Sequence, residues 1–397
     1  MNRPSALFLT PEAPYPAIGG GALRAASLFE YLAQIYDVDV IVFREPGAPD
    51  PAAAFPRGMP RAVNVVELPA NSRSLPAKIV RNGSRLLRGV PPLLDRFSGQ
   101  EAAVAGFMRG KSYETAVVEH FWLAPYLTAI APAVRRTVLD MVDVESVLHE
   151  RCGRVERWPA AMAHRIFHSA CRDLEREWFP RYSALLATSE DDSRTIREIS
   201  PRARVVVYPN TIPWVEQPSP PEENAIAFSG NLEYHPNISA VRYFHSAIWP
   251  TLRERWPDLK WKLIGKNPHG VAKHVAGDPR IECSGPVTDA ITELARARVV
   301  IVPVLAGSGT RLKIVEAWAA GRAVVSTRLG AEGLPACDDG NIVLADGARE
   351  FADAISALLE SPERGKAIGA AGRRTYEAEG TWKSAWAKLE ASGVCER

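Results

Sequence analysis

The sequence predicts an α/β protein built from two parallel-sheet domains, and three observations carry that prediction. Short runs rich in Val, Ile and Leu alternate with longer amphipathic stretches along all 397 residues. The runs are nearly continuous in apolar residues, as strands buried on both faces of a parallel sheet should be. Five prolines fall within residues 208–224, so that segment cannot be the interior of a helix or strand and marks an interdomain connection.

The predicted strands fall into two series, one on each side of that connection. The first series is Ala6–Thr10, Val38–Phe43, Val63–Leu68, Thr115–Phe121, Thr137–Met141, Leu185–Thr188 and Val205–Tyr208. The second is Ala225–Ser229, Trp261–Ile264, Ile281–Ser284, Val299–Val304, Ala323–Ser326 and Ile342–Leu344. Amphipathic periodicity predicts intervening helices that include Ala22–Tyr36, Ile238–Trp256, Leu312–Ala320 and Glu350–Leu359. Two open sheets of this kind predict a cleft lined by the carboxyl ends of strands, where such sheets bind ligands.

Composition narrows the class of protein. Lys and Arg number 48 against 46 Asp and Glu, a net charge of +2, which argues against disorder and against nucleic acid as a partner. The five cysteines include no CxxC pair, so neither a zinc site nor a disulfide framework is indicated. No apolar run approaches the ~18 residues that span a bilayer. We therefore expect a soluble, cytoplasmic protein.

A glycine triplet, Gly19-Gly20-Gly21, follows the first strand and opens the first predicted helix. Glycines let a backbone approach an anion closely, and the first turn of a helix presents unpaired N–H groups to it. The triplet lies too far past the strand for a dinucleotide fingerprint. It predicts a phosphate or sugar loop, and the alternative is a flexible connection.

The most informative stretch is 303–334, PVLAGSGTRLKIVEAWAAGRAVVSTRLGAEGL. After a strand and a glycine loop, a helix begins with Thr310 as its predicted N-cap. Arg311 and Lys313 lie in the predicted first turn, where cations oppose the helix dipole and cost stability unless an anion sits opposite. Glu316 follows within reach of hydroxyl groups on the same ligand. The pattern predicts a phosphate site, and the alternative is a solvated, charged helix start.

Residues 307–334 of that stretch resemble the donor-binding signature of glycosyltransferase family 4, the retaining GT-B enzymes. The glycine triplet, VVEHF, YPNTI and SGNLEYHPN agree with the same family. The resemblance implies two Rossmann-like domains facing a central cleft, here 1–207 and 225–380, and a nucleotide-sugar donor held mainly by the second. It also implies that a helix in 381–397, Trp382–Glu390, crosses back to the first domain.

The resemblance also assigns donor contacts. Glu316 matches the second acid of the E-x7-E motif, which holds the donor ribose, whereas Ser308 stands where the first acid would fall. Because no basic residue follows Gly230 closely, we assign the diphosphate to Arg311 and Lys313. Together the expected donor-binding residues are Gly20, Gly21, Gly230, Asn231, Gly285, Val287, Gly309, Thr310, Arg311, Lys313 and Glu316.

The expected acceptor side lies in the first domain. His120, at a strand end, matches the family's cleft histidine near the transferred sugar; the alternative is a structural histidine. Asp140, Asp143 and Glu145 follow the next strand, where one of them could act on an acceptor hydroxyl as a base; the alternative is that they cap helices. No DxD metal-diphosphate pair is present there, so we expect no metal and no cofactor besides the nucleotide sugar.

A basic segment, Arg73–Lys111, carries eight basic residues against two acids. Lys78, Arg81, Arg85 and Arg88 recur at helical spacing among apolar residues, a pattern that can lie on an anionic membrane or form a solvated helix. We therefore expect a glycan or lipid-linked acceptor and a peripheral position on the inner face of the cell membrane.

The expected function is retaining transfer of a sugar from a nucleoside-diphosphate donor to an acceptor hydroxyl, in cell-envelope polysaccharide or glycolipid synthesis. Two alternatives stay open. One is a nucleotide-sugar epimerase on the same fold. The other is a non-catalytic binding subunit, which Ser308 keeps under consideration because it replaces an acid of the signature.

Overall fold

The computed structural model describes residues 3–72, 74–307 and 309–395. Its contacts divide the chain into two compact units. The first unit runs to Pro209 and takes up the chain again from Trp386, and the second unit is Asn210–Ala385. Arg73 of the basic segment and Ser308 of the signature lie outside the described residues.

The first unit is built on a seven-stranded, wholly parallel sheet with strand order β3-β2-β1-β4-β5-β6-β7. Its inner strands are almost completely buried, which explains their nearly continuous apolar sequences. The strands are β1 (Ser5–Thr10), β2 (Asp37–Arg44), β3 (Ala62–Glu67), β4 (Tyr113–Glu119), β5 (Val134–Asp140), β6 (Ala184–Ala187) and β7 (Val205–Val207).

Helices connect these strands. They are α1 (Gly20–Ile35), α2 (Leu75–Arg88), α3 (Pro92–Phe97), α4 (Glu101–Met108), α5 (Leu127–Ile130), α6 (Glu145–Val155), α7 (Ala160–Trp178) and α8 (Glu190–Ile199). The residues from Trp386 onward pack on the same unit: the Trp386 indole donates to the Ser27 carbonyl at 3.0 Å, and the Tyr36 hydroxyl donates to the Cys395 carbonyl at 2.8 Å.

The second unit is built on a six-stranded parallel sheet with strand order β10-β9-β8-β11-β12-β13. The strands are β8 (Ala225–Ser229), β9 (Lys260–Ile264), β10 (Ile281–Gly285), β11 (Val299–Val302), β12 (Ala323–Ser326) and β13 (Val343–Leu344). The helices are α9 (His235–Tyr243), α10 (Trp249–Arg255), α11 (His269–Val275), α12 (Ala290–Ala295), α13 (Leu312–Ala319), α14 (Arg328–Ala331), α15 (Ala348–Glu360), α16 (Pro362–Glu379) and α17 (Trp382–Ser392), whose end lies in the first unit.

The sequence-based prediction of two parallel, doubly wound sheets is confirmed, and all thirteen predicted strands are present within three residues of their predicted ends. One predicted helix is wrong. Ile238–Trp256 is interrupted by a π-helical turn, Phe244–Ile248, between α9 and α10. Pro250 at the start of α10 has no N–H to continue the helical ladder, so a new helix begins there.

The strand order fixes where each sheet can bind a ligand. Counted from its own first strand, each sheet runs 3-2-1-4-5-6, and the first sheet adds a seventh strand after the sixth. The connections therefore leave in opposite directions between the first and fourth strands. Ligands of doubly wound sheets bind beyond the carboxyl ends of strands at that point. The predicted positions are the ends of β1 and β4 in one unit and of β8 and β11 in the other. Within the described residues, no helix is both long and apolar enough to cross a bilayer.

Candidate active site

In the second unit, glycines end three neighbouring strands and remove side chains from the ligand-binding edge of the sheet. Gly230, Gly265 and Gly285 have φ values of +144°, +145° and +64°, respectively. A Cβ on Gly265 would lie 1.9 Å from the Gly230 carbonyl oxygen, so only glycine permits this approach. The Gly265 N–H donates to the Gly285 carbonyl at 3.1 Å, which extends the row to the edge strand β10. Val287 lies half-buried just beyond it.

Three asparagine side chains hold the loop that follows β8. The Asn237 amide, at the start of α9, donates to the Asn231 carbonyl at 2.9 Å. The Asn267 amide donates to the Asn231 side-chain oxygen at 3.0 Å. Because Asn237 also accepts a hydrogen bond from Lys313, described next, this network joins the ends of β8 and β9 to helix α13.

Lys313 is the cation at the centre of this arrangement. Its ammonium donates to the Asn237 side-chain oxygen at 3.2 Å and lies 5.3 Å from the centroid of the Phe228 ring. It forms no ion pair with any carboxylate among residues 3–72, 74–307 and 309–395. Burial, and next the charge of Arg311, lowers the pKa of Lys313 to about 8. An anion placed here would reverse that shift because it favours the charged ammonium.

Glu316 lies one turn beyond Lys313 on the same side of α13. It accepts a hydrogen bond from the Ser229 hydroxyl at 3.3 Å, at the last residue of β8. Burial raises the pKa of Glu316, and the charge of Lys313 opposes that rise. A carboxylate here is an acceptor for two adjacent hydroxyl groups of a ligand, as a ribose presents.

The start of α13 differs from the sequence-based prediction. Arg311, not Thr310, occupies the N-cap position, and no side chain caps the helix. The Arg311 guanidinium instead folds back to donate to the Gly309 carbonyl. Thr310 is buried, and its hydroxyl oxygen has no hydrogen-bond partner among the atoms that the structure describes. No side chain therefore covers the first turn of α13, in which Lys313 lies and the Ile314 N–H donates to the Arg311 carbonyl at 3.0 Å.

In the first unit, the glycine triplet begins α1 as predicted. Gly19 is the N-cap with a φ of +92°, and the helix starts at Gly20. Gly20 and Gly21 are exposed, and the first turn contains no acidic residue. A 16-residue helix with a bare, exposed N-terminus at the β1 end of the sheet suits a phosphate or sugar oxygen.

His120 lies where β4 ends, in a turn with a φ of +65° that few non-glycine residues adopt. Its imidazole stacks on the Trp122 ring, with 4.1 Å between centroids and 8° between planes. The Trp122 indole N–H in turn donates to the Glu145 carboxylate. Burial and the charge of Arg24 lower the pKa of His120 to about 3, so the ring is neutral at physiological pH. It can donate or accept a hydrogen bond but does not carry charge.

The structure contradicts Asp140 as an acceptor-side base. Its side chain is completely buried, and the Nε of Arg24 lies 2.8 Å from its Oδ2. Arg24 also donates to the Tyr208 carbonyl at 2.7 Å. Glu119 beside them accepts from the Thr10 hydroxyl, and burial raises its pKa to about 8. This end of the first sheet holds a closed ion pair rather than a reactive carboxylate.

The other two acidic candidates differ from Asp140. Glu145, the first residue of α6, is buried, and burial followed by the charge of Asp143 raises its pKa to about 8. It serves as the hydrogen-bond acceptor that fixes Trp122, and through that ring it supports His120. Asp143 is half-buried in the turn before α6.

The structure thus brings four predicted donor residues together: Gly230, Asn231, Lys313 and Glu316. Sequence reasoning missed the residues that join them, which are Ser229, Asn237, Gly265 and Asn267, and it missed Arg24 in the first unit. A repeated signal marks Gly265, because a glycine directly follows each of the three strands. Arg24 could have been found as a lone cation on the apolar face of α1. Within the described residues, no group of three His, Cys, Asp or Glu side chains could hold a metal.

Comparison with known proteins identifies the second unit. Residues 223–361 match the family model described as Glycosyl transferases group 1. Curated protein sequences give no match. Among solved structures, sucrose-phosphate synthase from Thermosynechococcus elongatus is 15% identical with a TM-score of 0.76, and the alignment covers 98% of each chain.

Two further solved structures carry ligands. Anabaena HepE in complex with UDP and glucose is 15% identical with a TM-score of 0.66, covering 98% of this chain and 99% of HepE. A point mutant of S. aureus TarM, in complex with fondaparinux, alpha-GlcNAc-glycerol and UDP, is 11% identical with a TM-score of 0.71, covering 99% of this chain and 100% of TarM. Residues 223–361 therefore match the glycosyl transferases group 1 model, and the chain has the GT-B fold.

Proposed function

We propose that this protein transfers a sugar from a nucleoside-diphosphate sugar to an acceptor hydroxyl with retention of anomeric configuration. The observation that supports the proposal most directly is Lys313: its ammonium, in the first turn of α13, is held by an amide oxygen and forms no ion pair with a carboxylate of the described residues. A diphosphate supplies the missing negative charge. Glu316, one turn further on, is the acceptor for the ribose hydroxyls.

The chemistry follows from where charge develops. When the bond between the anomeric carbon and the diphosphate oxygen breaks, negative charge grows on that oxygen, and Lys313 and Arg311 stabilise it. The acceptor oxygen forms the new bond on the same face, and its proton passes to the departing diphosphate. His120 supplies a neutral hydrogen-bonding group on the acceptor side. The proposal assigns the charge stabilisation to side chains and includes neither a metal nor a cofactor.

The donor and acceptor classes are part of the proposal. HepE and TarM were solved with UDP, so UDP-sugars are the first donors to test. The backbone edge at Gly285 and Val287 is assigned to the nucleobase, and the N-terminus of α1 at Gly20 and Gly21 to the donor phosphate or sugar. The acceptor is a glycan or a lipid-linked glycan, met at the inner face of the cell membrane through the basic segment.

A labelled-sugar assay tests the proposal. The protein is incubated with UDP-, GDP- and ADP-sugars and a bacterial glycolipid extract, and we expect label in the lipid fraction with the α-linkage of the donor preserved. Lys313→Ala is the matched variant, in which we expect less label in the lipid fraction. An epimerised donor in reactions without acceptor would show an epimerase instead. Tight binding of the donor without any turnover would show a non-catalytic subunit.

A further inference from the structure

Helix α2 turns its apolar side chains outward. Leu75, Ile79, Val80 and Leu87 are 64% to 90% exposed, although they are the residues that a helix packed on a core would hide. The side chain that α2 buries is the charged one of Arg85. An amphipathic helix with its apolar face exposed must have another partner for that face.

A second row of exposed apolar side chains lies on and just before α7. Trp158, Met162 and Ile166 are 81%, 47% and 37% exposed and recur every fourth residue, so they follow one side of the helix. The two helices adjoin in the same unit, because a Cβ on Gly89, at the end of α2, would lie 3.8 Å from the Cβ of Ala170 on α7. We call the two rows together the α2–α7 surface.

The charged residues of this surface are all basic, but fewer of them are free of ion pairs than the sequence alone suggests. Residues 74–94 and 157–170 contain no acidic residue. Arg85 and Arg88, however, share an ion pair with Asp95. Arg81 is half-buried and donates to the Ser72 carbonyl at 3.2 Å. Outward charge therefore comes mainly from the exposed side chains of Lys78 on α2 and of Arg157 and Arg165 beside the α7 row. Electrostatic attraction between so few basic side chains and an anionic surface is weak, so most of the binding free energy would have to come from burial of the apolar rows.

We propose that the α2–α7 surface inserts its apolar rows into the headgroup region of an anionic phospholipid bilayer, with Trp158 as an interfacial anchor. This inference rests on the proposed function and identifies the partner of its acceptor side. Trp prefers the membrane–water interface because its ring is apolar and its N–H is polar. The exposed Lys78, Arg157 and Arg165 complement the anionic headgroups. A second copy of this chain would instead set like charges against one another.

Vesicle sedimentation tests the inference on the full chain. The vesicles contain phosphatidylcholine with or without phosphatidylglycerol and no glycolipid. In the triple variant Trp158→Ala, Met162→Ser and Ile166→Ser, we expect the partition coefficient to fall roughly 100-fold, because three apolar contacts with lipid are lost. The matched control is Trp214→Ala, which removes a tryptophan that is 62% exposed in the second unit and should leave partitioning unchanged. High salt should weaken wild-type binding without abolishing it.

Fluorescence provides a second measurement that does not depend on the triple variant. Brominated phospholipids should quench part of the wild-type emission, and Trp158→Phe should remove that part. Equal binding of the triple variant and wild type would overturn the inference, as would the absence of wild-type binding to anionic vesicles at low salt. A wild-type dimer that becomes monomeric in the triple variant would show a protein interface instead. Intact UDP binding and sugar transfer with no vesicle binding would overturn this inference alone and leave the proposed function standing.

Discussion

The two sheets share one strand order, yet they treat charge differently at the point where each is expected to bind a ligand. In the first unit, Arg24 is neutralised by Asp140, and both are out of contact with solvent. In the second unit, Lys313 donates to the amide oxygen of Asn237 and, within the part of the chain that the structure describes, forms no ion pair with a carboxylate. The same topology therefore gives a closed ion pair in one unit and an open cation in the other.

This difference separates structural charge from functional charge. A buried pair satisfies itself, so removing either partner acts on folding. A cation without a carboxylate costs stability in the empty protein and repays that cost when an anion binds. The comparison leads us to place the donor diphosphate in the second unit and to treat Arg24 and Asp140 as part of the scaffold.

The largest effect is expected from Asp140→Ala. It leaves the Arg24 guanidinium buried without a counter-charge, so the free energy of unfolding should fall by about 3–5 kcal/mol. Urea denaturation measures it. The control is Asp173→Ala, which breaks an exposed pair with Arg176 and should change the free energy of unfolding by no more than about 0.5 kcal/mol. A small effect at Asp140 would remove the distinction between the two sheets.

The next effect concerns the open cation. Lys313→Ala and Arg311→Ala should each lower kcat/KM by roughly 10- to 150-fold, because each removes one charge-assisted contact worth about 1.5–3 kcal/mol. Calorimetry should show a greater loss of UDP affinity than of uridine affinity. If both ligands lose affinity equally, these residues support the loop and do not touch phosphate.

The pH dependence of UDP binding tests whether the charged form of Lys313 binds the diphosphate. Since the pKa of Lys313 is about 8, UDP affinity should fall by up to about tenfold for each pH unit above that value. The unfolded chain binds this proton up to the ordinary lysine pKa of 10.5, so Lys313 should add stability to the empty protein as pH rises from about 8 to 10.5. Lys313→Met should bind UDP weakly with a flat profile. If UDP affinity falls with pH in that variant as it does in the wild type, a group other than Lys313 is titrating.

A smaller effect is expected from Glu316→Gln. The fold should persist because the residue is half-buried on α13, while UDP affinity falls by roughly tenfold as charged hydrogen bonds to the ribose are lost. The wild type should bind UDP more tightly than 2′-deoxy-UDP, and the variant should not distinguish them. An unchanged preference in the variant would move Glu316 away from the ribose.

The last prediction is that the His120 imidazole does not titrate near neutral pH. Because burial lowers the pKa of His120 to about 3, its imidazole NMR signal should stay nearly constant from pH 5 to pH 7. His120→Gln identifies the signal by its disappearance. A midpoint within that range would mean that the stacked ring takes up a proton near neutral pH.

Much of the fold could be predicted because local patterns determine it. Buried parallel strands require unbroken apolar runs, so Ala225–Ser229 and Ala323–Ser326 have the same bounds in sequence and structure. The start of α13 was less predictable, since Thr310 and Arg311 both suit the end of a loop and only the backbone path decides which is the N-cap. The interrupted helix around Pro250 is the other exception.

The site was predictable in its charges but not in its partners. Glu316 and Lys313 stand out in the sequence because a helix start seldom gathers such residues without a ligand. Asn237 does not stand out, because its role depends on Lys313, which lies 76 residues away in the chain. Asp140 was misread for the same reason: its counter-ion, Arg24, is 116 residues away.

The contact between Gly265 and Gly230 predicts an uneven tolerance to substitution. Every side chain at Gly265 would collide with backbone, so a saturation library should recover only glycine there. Gly21, whose Cβ would meet nothing within 4 Å, should accept alanine and serine. Attempts to change the preferred nucleotide by mutating Gly265 should therefore fail, whereas Val287, half-buried and outside that contact, offers a position where library diversity survives selection.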